Sequence, residues 1–258
     1  MRFVVSLLIC SCIAFAGFSQ NPAPIPLNKH FFEIFPADSM QQKYYQFLSY
    51  GSDSTQIERI FTLQNQLVRT VRKGKKTAEF QELTLEEYDL QGQLTHRKIV
   101  NLFNSKFIST YYDKGEQVAQ LIYRGEHKYS IYRKGYDKPR ERLENDFEPY
   151  PKDEKARFPF LLSQKTRIEK SKWPEERQLI VVGVLVDESG EVKSVEWANP
   201  LGADPEIAKI FVKAVSSWKK GYIPAKDAQE NPLQKWRYFY FHAGGKFAHG
   251  PIEVSFRK

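Results

Sequence analysis

The stretch Leu179-Ile180-Val181-Val182-Gly183-Val184-Leu185-Val186 is followed by Asp187-Glu188-Ser189-Gly190 and then by Glu191-Val192-Lys193-Ser194-Val195-Glu196-Trp197. An apolar β-branched run, a polar turn with a glycine free to take positive φ, and a second alternating run predict a β-hairpin. Asp204-Pro205-Glu206 reads as a helix start, with a capping carboxylate, proline at the first helical position and a second acid near the positive end of the dipole. Ile207, Ile210, Phe211, Ala214, Val215 and Trp218 recur at helical spacing, so one apolar face is expected to lie on the hairpin, with Gly221 closing the helix. Trp236-Arg237-Tyr238-Phe239-Tyr240-Phe241 predicts a third strand, its aromatics suited to a half-buried pleated surface. The resulting order is ββαβ.

Upstream, residues 31–136 alternate over short stretches: Tyr44 to Tyr50, Gln56 to Leu63, Leu67 to Arg72, Phe80 to Tyr88, Leu94 to Leu102, Phe107 to Tyr112, Val118 to Tyr123 and Tyr129 to Arg133. Tight turns are expected at Gln64-Asn65, Gln91-Gly92, Lys114-Gly115 and Lys134-Gly135. Strands joined in this way predict an antiparallel meander of stacked hairpins that buries one face. The fold class is therefore α+β: an N-terminal meander and a C-terminal ββαβ domain spanning 156–258.

With 258 residues and 41% hydrophobic content, the chain can build two cores. Met1-Arg2 and the apolar run Phe3 to Phe18, with small residues at Gly17 and Ser19, read as a cleavable secretory signal over 1–19. The run is shorter than the roughly twenty residues of a comfortable bilayer span, so no stable span is expected after cleavage. Residues 20–30, proline-rich at Asn21 to Pro26, are expected to form an extended tether, and 137–155, dense in charge and proline, a linker. Both cysteines, Cys10 and Cys12, fall inside the signal, so the exported protein would hold no disulfide and no thiol nucleophile; lipidation at Cys12 is the alternative. The net charge of +8 allows salt-dependent attraction to anionic membranes or glycans. An export signal and basic residues scattered among acids argue against a nucleic-acid partner; the basic runs Arg69 to Lys76, Arg133-Lys134 and Lys138 to Arg142 read as solvated faces or loops.

No catalytic constellation is legible. The five histidines include no pair at the spacing of a helical metal site; His242 and His249 flank Gly244-Gly245 and read as loop residues. Gly244-Gly245-Lys246 lacks the context of a phosphate loop, and no serine sits in a nucleophile elbow. The expectation is a non-catalytic protein with no cofactor and no metal.

Two resemblances add to this reading. The turns Leu63-Gln64-Asn65-Gln66-Leu67, Leu90-Gln91-Gly92-Gln93-Leu94 and Asp113-Lys114-Gly115-Glu116-Gln117-Val118 resemble MORN-like hairpin repeats. Trp173 to Phe241 resembles the C-terminal domain of TonB. The residues that carry this likeness are Trp173-Pro174, the strand Leu179 to Val186, the Asp187 to Gly190 turn, the strand Val192 to Trp197, the acid at the helix start, Trp218, Pro224 and the closing aromatic strand. That resemblance implies a domain whose last strand accepts a peptide from an outer-membrane transporter as an added strand. Carried over, the partner-binding residues are Trp173, Pro174, Tyr238, Phe239, Tyr240 and Phe241. A fourth strand through Ile252 to Phe256 would cover that edge.

Three readings follow. The first is a periplasmic protein using a TonB-like C-terminal domain to bind an envelope protein, with a TonB-dependent transporter as one candidate partner. The second is a working TonB held in the inner membrane. The third is an envelope carbohydrate-binding protein or hydrolase using Tyr111, Tyr123 and Tyr132 of the N-terminal sheet.

Overall fold

A computed structural model describes residues 23–152, 157–166 and 173–245. The signal segment with Cys10 and Cys12, residues 167–172, which the sequence suggests as a short helix or loop, His249 and the strand expected at 252–256 lie outside the described residues.

The N-terminal part is a ten-stranded antiparallel sheet in which each strand pairs with its neighbour in sequence. Its strands are β1 (Ile25–Leu27), β2 (Tyr44–Tyr50), β3 (Gln56–Thr62), β4 (Leu67–Lys73), β5 (Glu82–Tyr88), β6 (Leu94–Asn101), β7 (Phe107–Asp113), β8 (Glu116–Gly125), β9 (Lys128–Arg133) and β10 (Arg140–Arg142). A 3-10 helix, Pro36–Gln41, separates the first two. The expected meander is thus observed, lengthened at both ends by strands in the spans read as tether and linker.

One turn device recurs. Thr62 Oγ1 accepts from the amides of Gln64 and Gln66, at 3.3 and 3.2 Å, while Asn65 takes φ 64°. Asp89 Oδ1 likewise accepts from Gln91 and Gln93, at 2.9 and 2.8 Å, with Gly92 at φ 76°. A short polar side chain at the strand end satisfies the turn amides, and a residue tolerant of positive φ reverses the chain. Asp187 and Asp227 repeat the arrangement in the C-terminal part.

Cross-strand partners share a face, so the registers Leu83↔Val100, Val100↔Phe107, Phe107↔Tyr123 and Tyr123↔Tyr129 place these residues on one side. With Ala119, Leu121 and Ile131 they form a core that Phe147, from the span read as a linker, completes. Phe147 stacks on Tyr111 at 4.1 Å between ring centroids. The opposite face carries Ile99, Ile108 and Tyr132, each more than a third exposed.

The C-terminal part begins with β11 (Tyr150–Pro151) and α1 (Phe158–Lys165). Strand β12 (Gln178–Val186) and β13 (Val192–Trp197) form the hairpin, and α2 (Pro205–Ser216) follows. The short strands β14 (Tyr222–Ile223), β15 (Ala225–Lys226) and β16 (Pro232–Leu233) lead into β17 (Lys235–Ala243). The sheet order is β13-β12-β17, all antiparallel, while β11 pairs with β14. Ile180, Val182 and Val184 of β12, Phe239 and Phe241 of β17, and Ile207, Phe211, Ala214 and Val215 of α2 form one core with Phe158 and Leu162 of α1.

Asp204 caps α2 through bonds from the amides of Glu206 and Ile207, at 2.8 and 3.2 Å. Replacing Asp204 by alanine should lower stability by about 1 kcal/mol, read as a shift of the urea midpoint at unchanged slope. The helix ends earlier than Gly221 led us to expect: Ser217 is its C-cap. There Ser216 and Ser217 hydroxyls turn back to the carbonyls of Val212 and Ala214, and the Trp218 indole N–H bonds the Gly221 carbonyl at 3.0 Å. Gly221, at φ 76°, shapes the turn after the helix rather than its end.

Among the described residues no helix is long and apolar enough to cross a membrane.

Candidate functional site

Strand alternation divides the residues carried over from the family resemblance. Phe239 and Phe241 are fully buried beneath α1 and α2, with Phe158 at 5.0 Å from Phe239 and Phe211 at 4.9 Å from Phe241 between ring centroids. A partner at β17 would meet their backbone only. Tyr238 and Tyr240 lie on the opposite face and are half-buried. Trp173 and Pro174 run beside the end of β17: the Pro174 carbonyl accepts from Gly245 N at 3.1 Å, and the Trp173 indole reaches the Gly245 carbonyl at 3.4 Å. A Cβ on Gly244, at φ 89°, would run into the Glu176 carbonyl, so only glycine allows this approach. The six residues therefore do not form one surface.

The face of the three-stranded sheet away from α2 is occupied by the start of the chain. Asn28 Nδ2 donates to the Ala198 carbonyl at 2.8 Å, and Lys29 pairs with Glu196 at 2.7 Å. His30, buried, places Nδ1 3.1 Å from the Tyr238 hydroxyl and Nε2 3.2 Å from Glu196 Oε2, with its ring edge-on to Trp236 at 4.6 Å. Sequence reasoning missed this role, since an Asn-Lys-His triplet after a proline-rich stretch has no periodicity. Two further residues of β17 are held by the span read as a linker: Lys235 Nζ donates to the Phe147 carbonyl at 2.9 Å, and Arg237 pairs with Glu148 at 2.6 Å. Arg133 of β9, buried under Phe147, meets the Asp227 carbonyl at 3.4 Å, and Arg140 pairs with Glu230 at 2.8 Å. Meander and C-terminal sheet are thus packed together across a polar seam.

Ionisation along this seam follows its geometry. Burial alone would raise the Glu87 carboxyl, but the hydrogen bond from His96 and the charge of Arg69 outweigh it and hold it well below the usual carboxylate range. Glu148 is likewise depressed, the cations of Arg237, Lys98 and Lys235 overcoming desolvation. Burial pushes the Tyr238 hydroxyl up.

Burial lowers the His30 pKa, and the hydrogen bond and charge of Glu196, which would raise it, only partly oppose this. The unfolded chain, with His near 6.5, therefore takes up this proton before the folded chain does. Stability from neutral His30 is present above about pH 6.5 and declines as pH falls towards the folded pKa. Urea titrations at a series of pH values should show that decline in the wild type and a flatter profile in His30→Gln.

A cleft of about 580 Å³ opens between the β12–β13 turn and the end of α2, with Lys152, Glu191, Val195, Trp218, Lys219 and Tyr222 among its lining residues. Of its two serines, Ser189 donates its hydroxyl to Asp187 Oδ1 at 2.7 Å in the turn and Ser216 donates to the Val212 carbonyl at 2.8 Å. No cluster of three metal-ligating side chains occurs among the described residues. Tyr111 and Tyr123 are on the buried face of the meander and Tyr132 on the exposed one, so these three tyrosines do not make a common glycan platform. Comparison with family models, with curated proteins and with solved structures returns no match.

Proposed function

We propose that the chain is a non-catalytic, exported envelope protein that binds another protein by adding an extended segment to an edge of its C-terminal sheet. One observation carries this reading: both faces of that sheet are occupied, by α1 and α2 on one side and by Asn28 to His30 on the other. A partner is then left the edges, where backbone donors and acceptors give affinity and alternate side chains give selectivity. We read β12, β13, α2 and β17, with the short strands β14 to β16 between the last two, as a TonB-like C-terminal domain, and with it propose a periplasmic location and an outer-membrane transporter as a candidate partner.

Of the two edges we favour β13. Lys235, Arg237 and Tyr238 at the start of β17 are engaged by residues 147, 148 and 30. Each outer strand pairs with β12 alone among the described strands; on β13 Lys29 and His30 engage Glu196, while Val192 and Lys193 at its start stay exposed. Capture from envelope extract by the full chain tests the reading: Val192→Asp should weaken capture of the partner at least tenfold, and Tyr132→Asp, on the open face of the meander, should not. Equal capture by both variants would refute β13 as the site.

A further inference from the structure

The hairpin loops of the meander emerge alternately at the two ends of its sheet, and two neighbouring loops at one end form an apolar, basic patch. At one end the β4–β5 loop, residues 74–81, touches the β6–β7 loop, residues 102–106. Leu102 N donates to the Gln81 carbonyl at 2.9 Å, and Lys76 Nζ lies 5.7 Å from the centre of the Phe103 ring. Phe80, Leu102 and Phe103 project from these loops at 45%, 40% and 47% exposure. Around them stand Lys73, Lys75, Lys76 and Lys106, all exposed, and none has a carboxylate within 4 Å among the described residues. The acids on the same span are Glu79 and Glu82, and Glu82 accepts from the Thr84 hydroxyl at 2.8 Å. The flanking β2–β3 and β8–β9 loops of this end add Asp53 and Glu126, and Glu126 is paired to Lys128 at 3.1 Å rather than to any of the four lysines. The turns at the opposite end carry Asp89, Asp113, Lys114 and Glu116, with Glu116 paired to Lys134, so charges of both signs meet there.

We infer that the Phe80–Phe103 end of the meander docks on an anionic lipid bilayer. Apolar groups at the tips of two mutually braced hairpins enter the boundary between headgroups and acyl chains, where they leave water without unfolding anything. The lysines around them have stems that cover apolar surface and ammonium groups that reach lipid phosphates. Charge complementarity chooses the partner: an uncompensated basic rim is drawn to a negative surface and indifferent to a neutral one. The apolar tips choose a bilayer over a soluble polyanion, which offers Phe80, Leu102 and Phe103 no place to leave water. This docking uses the end of the meander, not the C-terminal sheet, and stands independently of the edge-binding reading.

Cosedimentation of the full chain with phosphatidylcholine vesicles, with and without phosphatidylglycerol, tests it. Binding should require the anionic lipid and weaken with salt. At about fivefold per lysine, Lys75→Gln with Lys76→Gln should reduce partitioning roughly 30-fold, and Phe80→Ser with Phe103→Ser should reduce it comparably. The apolar run at the N-terminus is common to all variants, so it cannot produce these differences. Phe103→Trp reports position directly: against a Phe103→Tyr control, its added emission should shift to the blue and be quenched by brominated acyl chains. All these positions are exposed, so unchanged far-ultraviolet circular dichroism and unfolding midpoints are expected; were the double serine variant to misfold, the lysine and tryptophan variants still decide. Partitioning insensitive to both double variants, or added emission from Phe103→Trp untouched by brominated lipid, would overturn the inference. So would retention on heparin that ignores the phenylalanines, together with no vesicle binding, which would mark a polyanion surface only.

Discussion

Phe239→Ala should destabilise the protein by about 3–5 kcal/mol, the largest effect we expect from a single truncation. Phe239 is fully buried, pairs in register with Val182 on β12, and packs against Phe158 of α1, so its loss removes contacts from the sheet and from the helix layer at once. The neighbouring core is closely filled by Val184, Phe241 and Phe211, which cannot all move in to close the gap. Urea unfolding followed by tryptophan fluorescence would measure it. A cost under about 1 kcal/mol would mean that Phe239 faces solvent, as a side-chain contact to a partner would require.

Gly190→Ala is expected to cost about 3 kcal/mol, combining the strain of a left-handed non-glycine residue with overpacking. Gly190 sits at φ 88° in the β12–β13 turn, and a Cβ there would collide with the Tyr222 carbonyl oxygen. Its own carbonyl accepts from Tyr222 N at 3.0 Å, so the turn is locked to the segment that follows α2. The alanine must push these two backbones apart, and the displaced turn leads directly into β13. Partner capture should therefore fall along with the unfolding free energy. Near-wild-type stability would show that the turn relaxes freely and is not a fixed support of the edge.

These effects lie where local pattern and tertiary packing meet, and the two differ in how well they are written in the chain. Alternation and turn residues made the meander legible: Tyr44–Tyr50 and Val192–Trp197 match the expected strands at both ends, and the turns at Asn65, Gly92 and Gly115 carry the positive φ their residues suggest. Periodicity carries no information about what covers a face. Hence Asn28 and His30 read as tether, and Phe147 and Glu148 as linker, although they form the seam between meander and C-terminal sheet. Proline and charge density, usual marks of a loosely held span, here accompany a short strand at Arg140–Arg142 and another at Tyr150–Pro151. The aromatic run Trp236 to Phe241 was legible as a strand, yet its six side chains divide between a core and a seam. The favoured edge, β13, was visible as a strand; our preference for it over β17 rests on contacts that are distant in sequence, from His30 to Tyr238 and from Glu148 to Arg237.

Photo-crosslinking tests the central claim most directly. A benzoylphenylalanine placed at Lys193 on β13, at Tyr240 on β17 or at Ile99 on the open face of the meander would be activated in envelope extract, and the adducts sequenced. The account predicts one partner joined at Lys193 through a short contiguous segment, as an added strand requires. Adducts confined to Ile99, or to Tyr240, would contradict it.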